Sequence, residues 1–500
     1  MRAGILFAGI LAALLLFGCT QNSTPQISSF DVPSQINQGE ALTVSISATG
    51  TELQKISASV GSNVQEFQCE SANECSNEFS FPNLGSGNYS VQANAVDSKG
   101  QGASLSKTVE VVSGGGTALS EAEKILESYG FFGAENIGES SLNAQYFNQS
   151  GAQWVKVFAF KNSTPQYADP AIQWSEKKAF VVLSPSKYDA NGGMMEAEWK
   201  AFVKEVVTKY SKAPYNAKLY QLVENPEYSK EWKDSAENYA LLLRQTFEAV
   251  KNTDPNALVV LGSYVQNSAD KNFDFPTRVI QYTYSDGMKG SDFFDVFAVD
   301  YYESTSQMKT RWKNIESKLQ ALGAPKPMIL TSTGTNNSLL EEQSIAKDVV
   351  QRLTTARYLN ILMTQWYSFR DNLNSVTEEQ GLGEAGLVSE GGRMRTAYFA
   401  FQFLAGQLKD ANLSQTEIVS EGKNSVYAYK FRKSDNSTVT IAWNYSSIYA
   451  DLNYPTTSSS VQVWDLLADG SGVFSKTTVS ASQGSAIVKV KENPIAIFDQ

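Results

Sequence analysis

The chain has 500 residues, of which 42% are hydrophobic and 19% charged, and its formal net charge is −11. This length predicts more than one domain, and the negative charge excludes a nucleic-acid partner, since phosphate binding needs clustered Lys and Arg. With no histidine and three cysteines, the chain also lacks the usual metal ligands, so we expect neither a metal nor a cofactor. Any catalysis must use carboxylates, hydroxyls, amides or aromatics.

The N-terminal residues predict export and a lipid anchor. Arg2 precedes an apolar run over residues 5–17, which is shorter than the roughly 20 residues that span a membrane. The run ends in Leu16-Phe17-Gly18-Cys19, which resembles a lipoprotein signal-peptide box, and a polar stretch follows. We expect cleavage of the signal peptide 1–18 and lipid attachment to Cys19. The alternative is an uncleaved anchor, and both place the rest of the chain outside the cytoplasm, at the cell surface.

Residues 27–112 alternate apolar and polar side chains in short runs separated by turn residues, which is typical of an immunoglobulin-like β-sandwich. Cys69 and Cys75 flank a short polar stretch in this region, and in an oxidising compartment they predict a disulfide that closes a hairpin. The Gly-rich segment 113–117 predicts a flexible linker.

Eight Asn-X-Ser/Thr triplets occur in the chain, at Asn22, Asn88, Asn148, Asn162, Asn336, Asn412, Asn436 and Asn444. Each predicts a surface segment that could carry a glycan.

Residues 118–410 alternate apolar strand-like runs with amphipathic helical patterns. The runs include WVKVFAF (154–160), ALVVLGS (257–263) and PMILTST (327–333). Strands that are nearly all apolar are buried on both faces, as in a parallel sheet, and this many repeats predicts a (β/α)₈ barrel. Its first repeat, near 118–150, has the weakest pattern. The β pattern returns over 411–500 and predicts a C-terminal β-sandwich.

The ends of the predicted barrel strands are rich in aromatic and amide groups. They include Glu224-Asn225-Pro226, Asp300-Tyr301-Tyr302 and Gln365-Trp366-Tyr367. Sites in such barrels lie at the carboxyl ends of the strands, and flat aromatic faces ringed by hydrogen-bonding groups suit a sugar. We therefore expect an oligosaccharide or polysaccharide partner bound near Asn225, Tyr302, Trp366 and Tyr367. The alternative is packing at the barrel rim.

These segments resemble the retaining glycoside hydrolases of clan A, especially family 39-like and family 5-like members. The resemblance covers about 150–410 and rests on LVENPEY, DPNALVVLGS, FDVFAVDYY, KPMILTSTGTNN and GLVSEGGRMRTAYFAFQFL. It implies an acid/base Glu in an Asn-Glu-Pro motif after the fourth strand and a nucleophile Glu in a Thr-Glu-x-Gly motif after the seventh. In this chain Asn225 stands at the first position and Ser332 at the second, and Asp300 replaces the sixth-strand histidine.

Retaining hydrolysis needs two carboxyl groups about 5–5.5 Å apart, one to protonate the leaving oxygen and one to attack the sugar. Asn225 cannot donate such a proton, and Ser332 has no base to activate it. On a regular strand Glu224 would point to the face opposite Asn225. The sequence thus favours a lipid-anchored glycan-binding protein without hydrolase chemistry. The alternatives are a structural surface protein and an active glycosidase with relocated carboxylates, chosen among Glu224, Glu227, Asp300, Glu303 and Asp371.

Overall fold

A computed structural model of the protein describes residues 24–37, 42–61, 63–81, 87–112, 120–135, 141–161, 177–185, 196–227, 232, 234–265, 273–335, 341–371 and 386–499. The signal peptide, Cys19 and the linker lie outside the described residues. The chain divides into two compact units, Met1–Ala118 and Leu119–Gln500. Within the described part of the chain, no helix is long and apolar enough to cross a membrane.

The first unit is a curled six-stranded sheet. Its strands hydrogen-bond in the order β1-β3-β5-β6-β2, and β4 pairs with β3. The strands are β1 (Gln26–Asp31), β2 (Gln35–Asn37), β3 (Leu42–Val60), β4 (Asn63–Phe81), β5 (Gly87–Asp97) and β6 (Gly102–Val112). Alternate residues of β3, such as Leu42, Val44 and Ile46, are buried in one core, as the sequence pattern predicts for a half-buried strand.

Cys69 and Cys75 form the predicted disulfide, with their Cα atoms 5.7 Å apart. Its position differs from the prediction, because both cysteines belong to the single strand β4. Between them Glu70 and Ser71 adopt left-handed φ angles of 50° and 58°. The bond therefore spans an irregular bend within β4, and not a hairpin turn.

The second unit contains the predicted barrel. Eight parallel strands close in the order β7 to β14, with β14 paired to β7 through Thr364 and Phe132. The strands are β7 (Phe132–Ala134), β8 (Trp154–Phe160), β9 (Lys178–Ser184), β10 (Leu219–Leu222), β11 (Leu258–Val265), β12 (Val296–Tyr301), β13 (Met328–Thr333) and β14 (Thr364–Trp366). The weak first repeat is thus β7, which has only three residues.

Helices surround this barrel, and one closes its base. They are α1 (Glu121–Tyr129), α2 (Ser141–Gln149), α3 (Glu196–Tyr210), α4 (Ala236–Thr253), α5 (Asp274–Gln281), α6 (Thr305–Ala321), α7 (Glu342–Tyr358) and α8 (Thr396–Leu408), with a 3₁₀ turn at Gly290–Phe293. A capping box between Ser120 and Glu123 starts α1. Leu126 and Tyr129 of α1 pack against the lower interior of the barrel.

The barrel interior changes from apolar to polar along the strands. Its lower layer contains Trp154, Phe180, Leu219 and Val260. Two residues further along a strand the side chain points to the same face, so Lys156 follows Trp154 and Gln221 follows Leu219 into the interior. The polar layer therefore lies at the carboxyl ends of the strands.

The C-terminal region is an eight-stranded curled sheet packed against the barrel helices. Its strands are β15 (Ala411–Lys423), β16 (Val426–Lys433), β17 (Thr438–Asn444), β18 (Ala450–Pro455), β19 (Ser460–Asp465), β20 (Lys476–Ser482), β21 (Ser485–Val490) and β22 (Ile495–Asp499). Tyr429 stacks on Tyr358 of α7 with ring centroids 4.3 Å apart. The prediction that Asn444 lies at the surface is wrong. Its amide is buried and donates to the carbonyl of Ile448 at 3.1 Å.

Candidate functional site

The candidate site is the polar layer at the carboxyl ends of the barrel strands. Its geometry depends on how the fourth barrel strand ends. β10 stops at Leu222, and both Val223 and Asn225 have left-handed φ angles, of 51° and 47°. A β-branched residue rarely adopts this conformation, so the turn costs about 1–3 kcal/mol that the surrounding structure must supply. The alternation of a regular strand is lost here, and Glu224 and Asn225 both reach residues of the polar layer.

The centre of the site is an ion cluster around Lys156. Its ammonium contacts the carboxylate of Glu224 and lies 3.2 Å from Glu135 Oε2. The Lys156 side chain is fully buried, whereas Glu224 keeps 21% of its side chain exposed. Gln365 Nε2 donates to Glu135 Oε2 at 2.5 Å. The prediction that Glu224 points away from the site is therefore wrong, because the left-handed turn redirects it.

Asp300 is the third carboxylate of the site and is bound to its neighbours. Its Oδ1 accepts a hydrogen bond from Thr331 Oγ1 at 2.8 Å. In the amide orientation that satisfies both groups, Asn225 Nδ2 donates to Asp300 Oδ2 and to Ser263 Oγ, each at 2.8 Å. The Asn225 amide thus serves as a hydrogen-bond donor to a buried carboxylate.

Burial and crowding shift the protonation of this cluster. Desolvation raises the pKa of Glu224 to about 8, while Lys156 opposes the shift. Desolvation also raises the pKa of Asp300 to about 6, again against Lys156. Burial lowers the pKa of Lys156, but the three surrounding carboxyl groups outweigh this and leave the pKa raised. Because one ammonium serves three carboxyl groups, a proton held on Glu224 relieves their mutual repulsion.

Ser332, which the sequence analysis aligned with a nucleophile, is buried and hydrogen-bonded within the protein. It is 1% exposed, and its Oγ lies 2.5 Å from the hydroxyl of Tyr302. Tyr302 also meets Tyr367 edge to face, with ring centroids 6.5 Å apart. Both tyrosines are half-buried. These two rings at the ends of β12 and β14 are the aromatic surfaces that the structure brings together.

Trp366 does not join them, because its side chain is 0% exposed. It packs in the core cluster that the barrel shares with its helices. The reason is strand alternation: Gln365 points into the barrel towards Glu135, so Trp366 points away. This burial argues against the predicted stacking role of Trp366.

The other predicted carboxylates are used outside the ion cluster. Glu227 Oε1 accepts from the backbone N–H of Val265 at 2.5 Å. Glu303 pairs with Arg311 at 3.2 Å, on the outer helix α6. Asp371 forms a two-pronged ion pair with Arg395 at 2.7 and 2.9 Å. Each contact joins a barrel loop to its scaffold.

The sequence analysis did not identify Glu135 or Lys156 as site residues, and it gave Gln365 only as part of an amide-rich strand end. One signal was present, since Lys156 is the charged residue in the otherwise apolar run WVKVFAF. Lysine in such a strand must be paired or face water. Glu135 could not be recognised because β7 is short and its pattern weak. In the described residues, no three Cys, Asp or Glu side chains are grouped to hold a metal ion.

Comparison with known proteins finds similarity in structure only. No family model matches the sequence, and no curated protein matches it. Among solved structures, a family 39 glycoside hydrolase from the gut symbiont Bacteroides cellulosilyticus WH2 superposes with a TM-score of 0.59 at 13% identity, over 94% of this chain and 100% of that one. A monomeric β-xylosidase from Caulobacter crescentus CB15 gives 0.52 at 13% identity, over 74% and 95%. A family 51 arabinofuranosidase from Xanthomonas axonopodis pv. citri gives 0.50 at 11%, over 74% and 96%.

The fold is thus a (β/α)₈ barrel flanked in the chain by two curled β-sheet domains, an architecture similar to that of these glycoside hydrolases. At these identities the similarity defines the architecture, and activity must be argued from the site itself.

Proposed function

We propose that this protein is an exported, lipid-anchored glycan-binding protein whose barrel does not carry out retaining hydrolysis. One observation carries the proposal. Asn225 and Ser332, which the sequence resemblance aligns with the two catalytic carboxyl groups, both have side chains that are hydrogen-bonded within the protein. Neither group can donate an acidic proton or attack a sugar without a base.

The carboxylates that remain are poorly placed to replace them. Glu135 and Glu224 both contact the Lys156 ammonium, which compensates their charge inside the protein. A carboxylate held in such an ion pair is a weaker nucleophile and a weaker base than an unpaired one.

Ligand binding is supported by the partly exposed side chains at this end of the barrel. Tyr302 and Tyr367 have half-buried rings in edge-to-face contact, and Glu224 keeps 21% of its side chain exposed. A sugar offers an apolar C–H face to such rings and hydroxyls to the polar groups around them. The ligand class follows from the similarity of the fold to glycoside hydrolases.

A glycan array followed by calorimetry on hits tests the binding. Tyr367→Ala should weaken binding by about tenfold, the value of one stacked ring. Tyr282→Ala is the matched control, because this half-buried tyrosine follows α5 at the opposite end of the barrel. The proposal fails if no glycan binds, or if both variants bind like the wild type.

A hydrolase that uses Glu224 is the second candidate, favoured by one observation. The partly exposed Glu224 has a pKa raised to about 8 by burial, which keeps a proton available at neutral pH as a general acid requires. Purified protein should then cleave nitrophenyl glycosides, and Glu224→Gln should abolish the activity. We expect no cleavage by the wild type and some turnover in the double variant Asn225→Glu, Ser332→Glu.

The anchor is tested separately at Cys19. Cys19→Ala should release the protein from the membrane fraction or block its processing, because the thiol is the site of acylation. Unchanged lipid labelling and fractionation of that variant would exclude a lipoprotein.

A further inference from the structure

The ion cluster at the barrel mouth contains more negative than positive groups. Glu135, Glu224 and Asp300 all interact electrostatically with the ammonium of Lys156. Three carboxyl groups therefore share this cation. Even with a proton on Glu224, two carboxylates remain for one ammonium, and a buried charge is stable only when it is paired. The cluster would thus be stabilised by a second positive charge.

Two buried amides at this end of the barrel also lack a hydrogen-bond donor. Gln221 and Gln365 point into the interior and are 0% exposed. Gln365 Nε2 donates to Glu135, and Gln221 Nε2 donates to the carbonyl of Val223 at 3.2 Å. The side-chain oxygen of each amide has no donor among the described residues. Because an unpaired buried acceptor is costly, these oxygens and the carboxyl groups together favour a ligand that supplies donors as well as positive charge.

Glu224 is the member of the cluster that such a ligand can reach. Its side chain is 21% exposed, whereas Glu135 and Asp300 are buried. Tyr302 lies within electrostatic range of all three carboxyl groups, which contribute to raising the pKa of its hydroxyl. Its half-buried ring meets that of Tyr367 edge to face. Aromatic faces attract a cation as well as the C–H face of a sugar, so the rings and the carboxyl groups favour the same ligand.

An ammonium carried by a sugar suits these groups better than a metal ion or a neutral sugar. The part of the chain that the structure describes has no cluster of Cys, Asp and Glu side chains suited to a metal ion. A neutral sugar would leave the excess negative charge uncompensated. An ammonium brings three donors and one positive charge, and a hydrogen bond between ionised partners is about twice as strong as a neutral one.

We propose that the glycan recognised at the barrel mouth carries a free amino group, whose ammonium pairs with Glu224 while the sugar contacts the ring of Tyr302. This inference rests on the glycan binding proposed above and names the class of sugar, an amino sugar without an N-acetyl group. Acetylation removes the positive charge, so the site should discriminate between the free and the acetylated amine.

Calorimetry on the full-length protein at low ionic strength tests the inference with three β-1,4-linked trimers, those of glucosamine, N-acetylglucosamine and glucose. They share one backbone and differ in the ammonium, acetamide or hydroxyl group at the second carbon. The glucosamine trimer should bind about tenfold or more tightly than the other two, the value of one charge-assisted hydrogen bond. High salt should reduce this preference.

Variants of Glu224 locate the effect. Glu224→Gln should weaken binding of the glucosamine trimer by about tenfold or more, and Glu224→Asp, which keeps the carboxyl group, should retain part of it. Glu303→Gln is the matched control. Glu303 is similarly exposed, at 24%, but it is paired with Arg311 outside the cluster. Equal weakening by Glu224→Gln and Glu303→Gln would overturn the inference, because the overall negative charge would then attract the ligand.

The outcomes separate this inference from the function on which it rests. Equal affinity for the three trimers would overturn the amino-sugar assignment and leave glycan binding standing. If none of the trimers binds, the inference fails, and the glycan array then decides the broader proposal. Array hits that lack an amino group would keep that proposal, whereas an array without hits would remove it as well.

Discussion

The ammonium of Lys156, on the second barrel strand, contacts the carboxylate of Glu224 just beyond the end of the fourth. This contact joins two strands across the barrel mouth. It exists because the left-handed turn at Val223 and Asn225 directs Glu224 inward. The mouth of the barrel is therefore partly filled by an internal ion cluster.

Lys156→Met should destabilise the barrel unit strongly. It removes the ammonium of the cluster and leaves the Glu135 carboxylate buried without a cation, so we expect a loss of about 3–5 kcal/mol in urea unfolding. Adding Glu135→Gln should recover part of the loss. Lys489→Met, in an exposed pair with Asp451, should cost less than about 1 kcal/mol. Equal stability of the two lysine variants would contradict the structural role of the cluster.

The stability of the protein should fall as pH rises through the neutral range. The pKa of Glu224 is raised from 4.5 to about 8 by burial, so the folded state holds a proton that the unfolded state releases. The associated stability is complete below about pH 4.5 and is lost as pH rises towards 8, with a slope of at most about 1.4 kcal/mol per pH unit. Glu224→Gln should reduce the dependence of the unfolding free energy on pH between pH 5 and pH 8. Chemical denaturation at several pH values would measure this dependence. If the variant keeps the slope of the wild type, groups other than Glu224 cause the pH dependence.

Trp366 and Tyr367 should respond differently to truncation. Trp366→Ala empties a fully buried site and should cost about 3–5 kcal/mol of stability. Tyr367→Ala, at a half-buried ring, should cost less and act on glycan binding. Thermal melts and calorimetry on the same samples separate the two effects. If Trp366→Ala is as stable as the wild type but no longer binds glycan, Trp366 stacks on the sugar after all.

The Cys69–Cys75 disulfide should contribute modestly to the first unit. The bond closes a short loop, so the chain-entropy model gives about 2 kcal/mol. The double variant Cys69→Ser, Cys75→Ser should lower the unfolding free energy of that unit by this amount and leave the barrel transition in place. A linked peptide under non-reducing mass spectrometry provides the control, and free thiols in the native protein would contradict the pairing.

The sequence by itself determined the architecture. Apolar runs buried on both faces and separated by helices identify a parallel barrel, and alternating runs identify the two flanking β-domains. These patterns are local and periodic. Asn225 and Ser332 could also be singled out from the sequence, because they lie within motifs that resemble those of known glycoside hydrolases.

Only the tertiary structure decided which side chains share the barrel mouth. Glu135, Lys156 and Glu224 come from the first, second and fourth strands, and no spacing in the chain predicts their contact. The direction of Glu224 depends on two backbone angles at a strand end, and that of Trp366 on the parity of a three-residue strand. A shift of one residue along a strand, or a different turn at its end, moves a side chain to the opposite face. The directions of Glu224 and Trp366 therefore cannot be derived from the sequence pattern.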